Sequence, residues 1–270
     1  MKMFFSVLRV ILLVFFLGLF CYSGWQLWEI YQVYQTGNDL YADVAAQVVH
    51  METDTREDDE ATEGESEPAA PGASAPETED IGITVDFDAL LEINPDVVGW
   101  LYCPNTVINY PLVQGEDNDY YLHRLIDGTS NSNGTLFVDA QNSAGFSDEN
   151  TVIYGHHMRN GSMFGSLENY EQQSYYEAHP VVYLLTPEGN YAIELFAGFT
   201  IAADAPVYTY TFATEGDYAS WLAEQRARSD FSASVEVGTE DRVVTLSTCA
   251  YDFQDARYVV LGKLVSLTVG

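Results

Sequence analysis

Hydrophobic residues form one unbroken block near the N-terminus. Val10 through Cys21 are almost wholly apolar, with Lys2 and Arg9 before them and two tryptophans shortly after them. Basic residues on one side of an apolar block and tryptophans on the other are typical of a single membrane span with a cytoplasmic N-terminus. A cleaved signal peptide is the alternative, but no small-x-small cleavage site follows the block. We therefore predict an uncleaved membrane anchor over residues 1–25.

The next two segments differ sharply in composition. Residues 26–50 keep a helix-compatible pattern and predict a juxtamembrane helix. Residues 51–80 are first strongly acidic and then rich in alanine and proline, with almost no large apolar side chain. Such a segment cannot bury enough apolar surface to offset the entropy lost on ordering. We predict a disordered linker over 51–80 that spaces a folded domain, residues 81–270, from the membrane.

Within the folded domain, short apolar and alternating runs are separated by turn signals. Asp86 can cap a short helix that ends before Pro95. The remaining runs predict eight strands and two helical patches: Val97–Leu101, Val107–Val113, Gly134–Val138, Thr151–Tyr154, Val181–Leu185, Tyr191–Ile201, Arg242–Thr248 and Tyr258–Leu267 as strands, Leu167–Ala178 and Tyr218–Ser229 as helices. Many short strands with few helices favour a closed barrel or a sandwich.

Composition narrows the class of function. The formal net charge of −31, from 41 acidic and 10 basic residues, argues against a nucleic-acid partner, because phosphate binding needs clustered Lys and Arg. The three cysteines form no CxxC pair, and an odd, sparse set makes a poor disulfide framework. We expect neither a structural metal nor a cofactor. For an isolated thiol in an extracellular domain, a catalytic role is one explanation.

The segment around the last cysteine carries the first candidate site. Two β-branched strands flank a loop over residues 250–256, so Cys249 closes one strand where Arg257 opens the next. In an antiparallel hairpin the thiol and the guanidinium would face each other. A fixed cation favours the reactive thiolate and can stabilise an oxyanion. The alternative is a buried structural cysteine, with Arg257 paired to Asp252 or Asp255.

A second segment adds a candidate acid/base. An apolar strand runs directly into Gly155-His156-His157 and then into a glycine-punctuated loop. An imidazole with an ordinary pKa of about 6.5 can deprotonate a thiol and protonate a leaving amine. Adjacent histidines at a strand end point in opposite directions and chelate a metal poorly. Taken alone, the pair would more often be two ordinary surface histidines.

Together these segments resemble the class B sortase family. Thr245–Cys249, with an arginine opening the next strand, is similar to the sortase nucleophile motif, and Tyr154–His156 is similar to the class B histidine segment. Further matching segments keep the family order: Met158, Asn160–Phe164, Asn94–Trp100, Tyr110–Gln114, Asp117–Leu122 and the helix at Tyr218–Ser229, which is similar to the extra helix that marks class B. The chain departs from the family pattern at His157, where Asn or another polar residue is frequent.

The resemblance implies a fold and a reaction. The fold is a mainly β, closed sortase-type barrel of about eight strands, with short flanking helices and an extra helix before the cysteine strand. Cys249 would attack the Thr carbonyl of an Asn-Pro-x-Thr-x sorting signal, His156 would act as acid and base, and Arg257 would hold the oxyanion. Three further residues align with positions that line the signal groove: Asn118, Leu122 and Ser247.

The same resemblance implies partners and a location. The partners are surface proteins with a C-terminal sorting signal, a peptidoglycan amine (lipid II or cross-bridge) and the membrane of a Gram-positive cell, with the catalytic domain outside. Pilin polymerisation, a catalytically inactive surface binding module and a plain cysteine peptidase are the alternatives. The peptidase lacks any supporting Cys-His-Asn motif in this chain.

Overall fold

A computed structural model describes residues 2–51, 81–250 and 255–267. Its four α-helices are α1 (Lys2–Val48), α2 (Phe87–Ile93), α3 (Gln173–Ala178) and α4 (Glu215–Arg228). Its strands are β1 (Val49–Met51), β2 (Ile83–Val85), β3 (Val97–Tyr102), β4 (Asn109–Val113), β5 (Leu136–Val138), β6 (Asn150–Tyr154), β7 (Val181–Thr186), β8 (Gly189–Ala202), β9 (Arg242–Cys249) and β10 (Ala256–Leu267). All eight predicted strands are present, with ends shifted by at most two residues.

Eight strands close into a barrel in the order β10-β8-β7-β3-β4-β5-β6-β9. Most neighbours are antiparallel, but β4 pairs with β5 and β6 pairs with β9 in parallel. Closure leaves the barrel without an exposed edge. Apolar side chains from the strands fill the interior, among them Trp100, Leu112 and Val260, each fully buried. The predicted closed barrel is confirmed, and the sandwich alternative is excluded.

The helices begin where the sequence supplies caps. The Asp86 carboxylate accepts a hydrogen bond from Ala89 N at 3.0 Å, which confirms the predicted cap of α2. Thr214 caps α4 in the same way, accepting from Asp217 N at 3.1 Å. Helix α4 therefore starts three residues before the predicted Tyr218. Its apolar face packs on the outer surface of the barrel beside β8. The other predicted patch, Leu167–Ala178, is divided into a 3₁₀ turn and α3.

Helix α1 is continuous from the apolar N-terminal block to the barrel. It is the one helix among the described residues that is long and apolar enough to cross a membrane, and the apolar window of 18 residues is not buried against the protein. Its last turns are buried instead: Tyr41, Val44 and Val48 belong to the main hydrophobic core. The predicted anchor and the predicted juxtamembrane helix are thus one continuous helix, whose end docks on the barrel.

The acidic segment leaves and re-enters the same small sheet. Strand β1, directly after α1, pairs antiparallel with β2, with Met51 opposite Ile83. The predicted linker therefore connects two paired strands, β1 and β2. The sequence had instead indicated a spacer between the N-terminal helix and the barrel. Met51, placed in the linker by its composition, belongs to β1. The predicted disorder falls on residues 52–80, which lie outside the described residues.

Tyr41 ties α1 to the barrel. Its hydroxyl donates to Gly134 O at 2.5 Å and lies 2.9 Å from Thr135 Oγ1. We expect Tyr41→Phe to lower the free energy of unfolding by about 1–3 kcal/mol, because the buried carbonyl of Gly134 loses its donor. Thermal unfolding of the detergent-solubilised chain checks this, with Tyr31→Phe on the exposed surface of α1 as the matched control. Equal melting temperatures for the two variants would contradict the expectation.

Candidate active site

The predicted site residues meet at a single cavity. It has a volume of about 340 Å³ and is lined by residues from β5, β6, β9 and β10 and from three loops. All six residues singled out from the sequence contribute to its wall: Cys249, His156, Arg257, Asn118, Leu122 and Ser247. Segments separated by more than 100 residues in the chain are brought together here. The roles of these residues are considered below.

Cys249 and Arg257 are direct neighbours across a β-ladder. They are register partners at the loop end of the β9–β10 hairpin, as the sequence predicted. Both are half-buried, and the Arg257 guanidinium donates to Ala256 O at 2.9 Å. Among the described residues no carboxylate forms an ion pair with Arg257, so its alternative pairing with Asp255 is not observed. Asp252 lies outside the described residues. The guanidinium is therefore available to a ligand in the cavity.

His156 is held by a backbone carbonyl on the cavity wall. Its Nε2 lies 2.6 Å from Leu122 O, so that nitrogen carries the proton and donates. Burial lowers the pKa of His156, and the hydrogen bond to Leu122, which favours the protonated ring, offsets this only in part. A neutral imidazole with Nδ1 as its basic nitrogen follows. This form can accept a proton from a thiol.

His157 has a different neighbourhood from His156. It does not line the cavity; its Nδ1 lies 2.8 Å from the backbone oxygen of Cys249 and 3.3 Å from Glu168 Oε1. The expectation that adjacent histidines leave the strand in opposite directions agrees with these contacts. Gly155 is needed before them, because a Cβ there would lie 2.4 Å from Leu136 and 2.6 Å from Phe164.

The predicted groove residues are fixed by hydrogen bonds. Asn118 Oδ1 accepts from Ala140 N at 2.8 Å, which leaves its amide nitrogen as the group for a ligand. Ser247 Oγ lies 3.0 Å from the hydroxyl of Tyr208. Leu122 presents its side chain to the cavity and its carbonyl to His156. The wall thus combines an apolar surface with a few oriented polar groups, as is usual for binding sites.

Sequence reasoning missed an aromatic part of the wall. Tyr154 and Tyr208 both line the cavity. Tyr154 and Tyr210 each donate a hydrogen bond of 2.9 Å to the buried carboxylate of Asp139. Burial, and then the nearby Asp139 charge, raise the pKa of Tyr154, so its hydroxyl stays a donor. The cluster of tyrosines after β8 was the available signal, but nothing in its pattern connects it with Asp139.

Comparisons with known proteins give the family. The sortase domain family matches residues 101–265. The chain belongs to the sortase family. Sortase B of Listeria monocytogenes is 33% identical over 252 residues, which cover 93% of this chain and 94% of that protein. The sequence resemblance to class B is therefore confirmed, and the chain is a cysteine transpeptidase.

Solved sortase structures confirm the fold. The Staphylococcus aureus sortase B–substrate complex has a TM-score of 0.65 at 32% identity, covering 67% of this chain and 85% of that one. Bacillus anthracis sortase B in complex with AAEK1 has a TM-score of 0.69 at 30% identity, covering 87% of this chain and 99% of that one. The higher coverage of the second structure shows that the similarity extends beyond the barrel.

Arg257 offers a graded test of the cation in this sortase. We expect Arg257→Ala to lower kcat about 10²–10³-fold, the usual cost of removing an oxyanion donor. The kcat of Arg257→Lys should lie between those of the wild type and of Arg257→Ala, because an ammonium keeps the charge but not the planar fork of donors. Steady-state kinetics measure this, with Arg228→Ala on the exposed side of α4 as the control. A Lys variant as impaired as the Ala variant would show that the charge alone contributes little.

Proposed function

We propose that this sortase cleaves a C-terminal sorting signal of the Asn-Pro-x-Thr-x type after Thr and transfers the protein to a peptidoglycan amine. The observation that carries the proposal is the convergence on one cavity of a thiol, a neutral imidazole and a guanidinium that pairs with no carboxylate among the described residues. Nucleophilic acyl transfer needs these three kinds of group. The same convergence counts against a catalytically inactive binding module, which needs none of them.

The reaction divides into two acyl transfers. Cys249 Sγ attacks the Thr carbonyl as His156 Nδ1 takes the thiol proton, and the guanidinium of Arg257 stabilises the oxyanion. Collapse of this intermediate breaks the Thr amide bond, and the imidazolium returns the proton to the leaving amine. The resulting thioester is attacked by the acceptor amine, which gives up a proton to His156. Cys249 then leaves as a thiol.

The groove contacts support an Asn at the start of the signal. Because Asn118 Oδ1 is already occupied by Ala140 N, its amide nitrogen is oriented to donate to a side-chain or backbone carbonyl of the peptide. Leu122 supplies an apolar contact that suits the following Pro, and Ser247 lies two residues before Cys249 on the same face of β9. The S. aureus sortase B described above was solved with a substrate. Binding of a sorting-signal peptide by this chain is consistent with the existence of that complex.

The membrane arrangement is part of the proposal. The apolar block of α1 crosses the membrane with the N-terminus inside, since Lys2 and Arg9 precede the block. The barrel then lies outside the cell, where both the cargo and the acceptor amine are found. Wall anchoring rather than pilin polymerisation is the proposed outcome, in keeping with the resemblance to class B sortases.

Mass spectrometry of the detergent-solubilised chain tests this function. We expect incubation with Asn-Pro-x-Thr-x peptides to give a thioacyl adduct that a small amine converts to an amide product. A peptide with Ala in place of Asn is the control and should react more slowly. Absence of an adduct with every such peptide would reject this signal, and hydrolysis without amide formation would identify a peptidase. A high-molecular-weight ladder lost on deletion from cells would instead support pilus assembly.

A further inference from the structure

The carbonyl of Cys249 lies beyond the end of a β-ladder. Strand β9 pairs with β6 on one side and with β10 on the other. On the β6 side, Ser247 O accepts from Gly155 N at 3.1 Å. Carbonyls of alternate residues point to the same side of a strand, so Cys249 O also points toward β6. Strand β6 has already ended at Tyr154, and in the part of the chain that the structure describes no backbone N–H donates to Cys249 O.

The imidazole of His157 supplies the missing donor. Its Nδ1 lies 2.8 Å from Cys249 O, a normal hydrogen-bond distance. The same nitrogen lies 3.3 Å from Glu168 Oε1. Both neighbours are acceptors, so Nδ1 must carry a proton in either charge state of the ring. His157 and Glu168 are 11% and 31% exposed, which strengthens both contacts relative to bulk water.

The peptide group after the nucleophile is therefore held at both ends. Its carbonyl, that of Cys249, accepts from His157, and its N–H, that of Ala250, donates to Ala256 O at 2.9 Å. The backbone of His157 is fixed in turn by a bridge to Met163. Together these hydrogen bonds hold the last residue of β9 from both sides. The Cα of Cys249, from which the thiol projects, therefore keeps its place opposite Arg257.

We propose that His157, oriented by Glu168, is a positioning residue that fixes the thiol of Cys249 for attack. The two adjacent histidines then have separate tasks: His156 moves protons in the cavity, and His157 acts through the backbone behind it. An asparagine at this position can also donate to the carbonyl, through its amide nitrogen. The proposal rests on the proposed role of Cys249 as nucleophile.

Four variants of the detergent-solubilised chain test the proposal: His157→Ala, His157→Asn, Glu168→Gln and, as a control away from the cavity, His179→Asn. For His157→Ala we expect kcat for peptide cleavage to fall about 10–100-fold with KM changed less than about threefold, since small misplacements of a reacting atom cost this much. His157→Asn should recover most of the loss. Glu168→Gln should have a smaller effect in the same direction, and the control should match wild type.

A second readout does not need substrate. The rate at which a methanethiosulfonate reagent modifies Cys249 should fall in His157→Ala, because the thiol lies less consistently beside the guanidinium, and melting temperatures should stay close to wild type. Failure of the wild type to process any peptide would reject the proposed signal, while the modification rates would still decide on positioning. Unchanged kcat and modification in His157→Ala would overturn the proposal. The proposal would also be overturned if kcat fell equally in the Ala and Asn variants and in parallel with their melting temperatures. That result would indicate a purely structural role for His157.

Discussion

Cys249→Ala is expected to abolish the thioacyl adduct and to lower transpeptidation by at least about 10⁴-fold. The variant retains His156, Arg257 and the cavity, but without a nucleophile the covalent route is closed. In enzymes of this kind, loss of the nucleophile alone costs nearly as much as loss of the whole catalytic set. The alanine should leave the fold intact, since Cys249 closes β9 at a half-buried position. Mass spectrometry and amide-product formation measure the effect.

The other two cysteines provide the controls for this experiment. Cys21 is exposed on α1, and Cys103 is fully buried against β7, where its thiol donates to Val181 O. Burial raises the pKa of Cys103, so its thiolate is scarce at neutral pH. Cys21→Ser should keep full activity, and thiol reagents should modify Cys103 slowly. An adduct that survives in Cys249→Ala would assign the chemistry to another residue.

His156→Ala is expected to lower kcat/KM about 10²–10⁴-fold, the range associated with general acid–base catalysis. The pH dependence of the wild-type activity is equally informative. Burial lowers the pKa of His156 below the ordinary value of about 6.5, so the neutral base dominates at neutral pH. Activity that requires this base is present above the lowered pKa and is lost as the pH falls through it. The acid limb of kcat/KM should therefore have a midpoint below about 6.5 and should disappear in the variant.

The neighbouring His123 offers a matched control. Its ring centroid lies 6.4 Å from that of His156, and it is largely exposed. Its charge contributes to the lowered pKa of His156, after burial. His123→Gln should keep kcat and move the acid limb toward higher pH. An acid limb that remains in place after His156→Ala would mean that a different group controls the rate.

The chemistry near the cysteine could be predicted from sequence because it depends on local geometry. An antiparallel pair joined by one loop determines which residues face each other, and Cys249 and Arg257 occupy the two ends of that loop. The strands could also be located from the alternation of apolar and polar residues, because this pattern too depends only on local geometry. His156 required the resemblance to the sortase family, since a His-His pair after a strand has many ordinary explanations. The groove residue Asn118 also came from that resemblance alone.

What could not be predicted depends on contacts between distant segments. The carboxylate of Asp139 receives hydroxyls from Tyr154 and Tyr210, and these three residues share no sequence pattern. The docking of α1 was missed for a similar reason. Strand β1, which directly follows α1, pairs with β2 on the far side of the acidic segment. The composition of that segment predicted a spacer, whereas the chain returns to the same small sheet.

Under the proposed topology, the docking of α1 on the barrel also determines how far the cavity lies from the membrane surface. Near Tyr41, α1 contacts Gly134, where an added Cβ would lie 2.8 Å from Leu122 O and 3.0 Å from the His156 ring. Under the proposed topology the tryptophans of α1 mark the outer lipid boundary. At 1.5 Å per residue, Trp28 and Tyr41 are then about 20 Å apart along the helix axis. A flexible linker would let the cavity occupy many distances from the membrane surface, whereas a continuous docked helix keeps that distance fixed. Under the proposed topology and function, cargo and acceptor therefore meet within a thin layer just above the lipid.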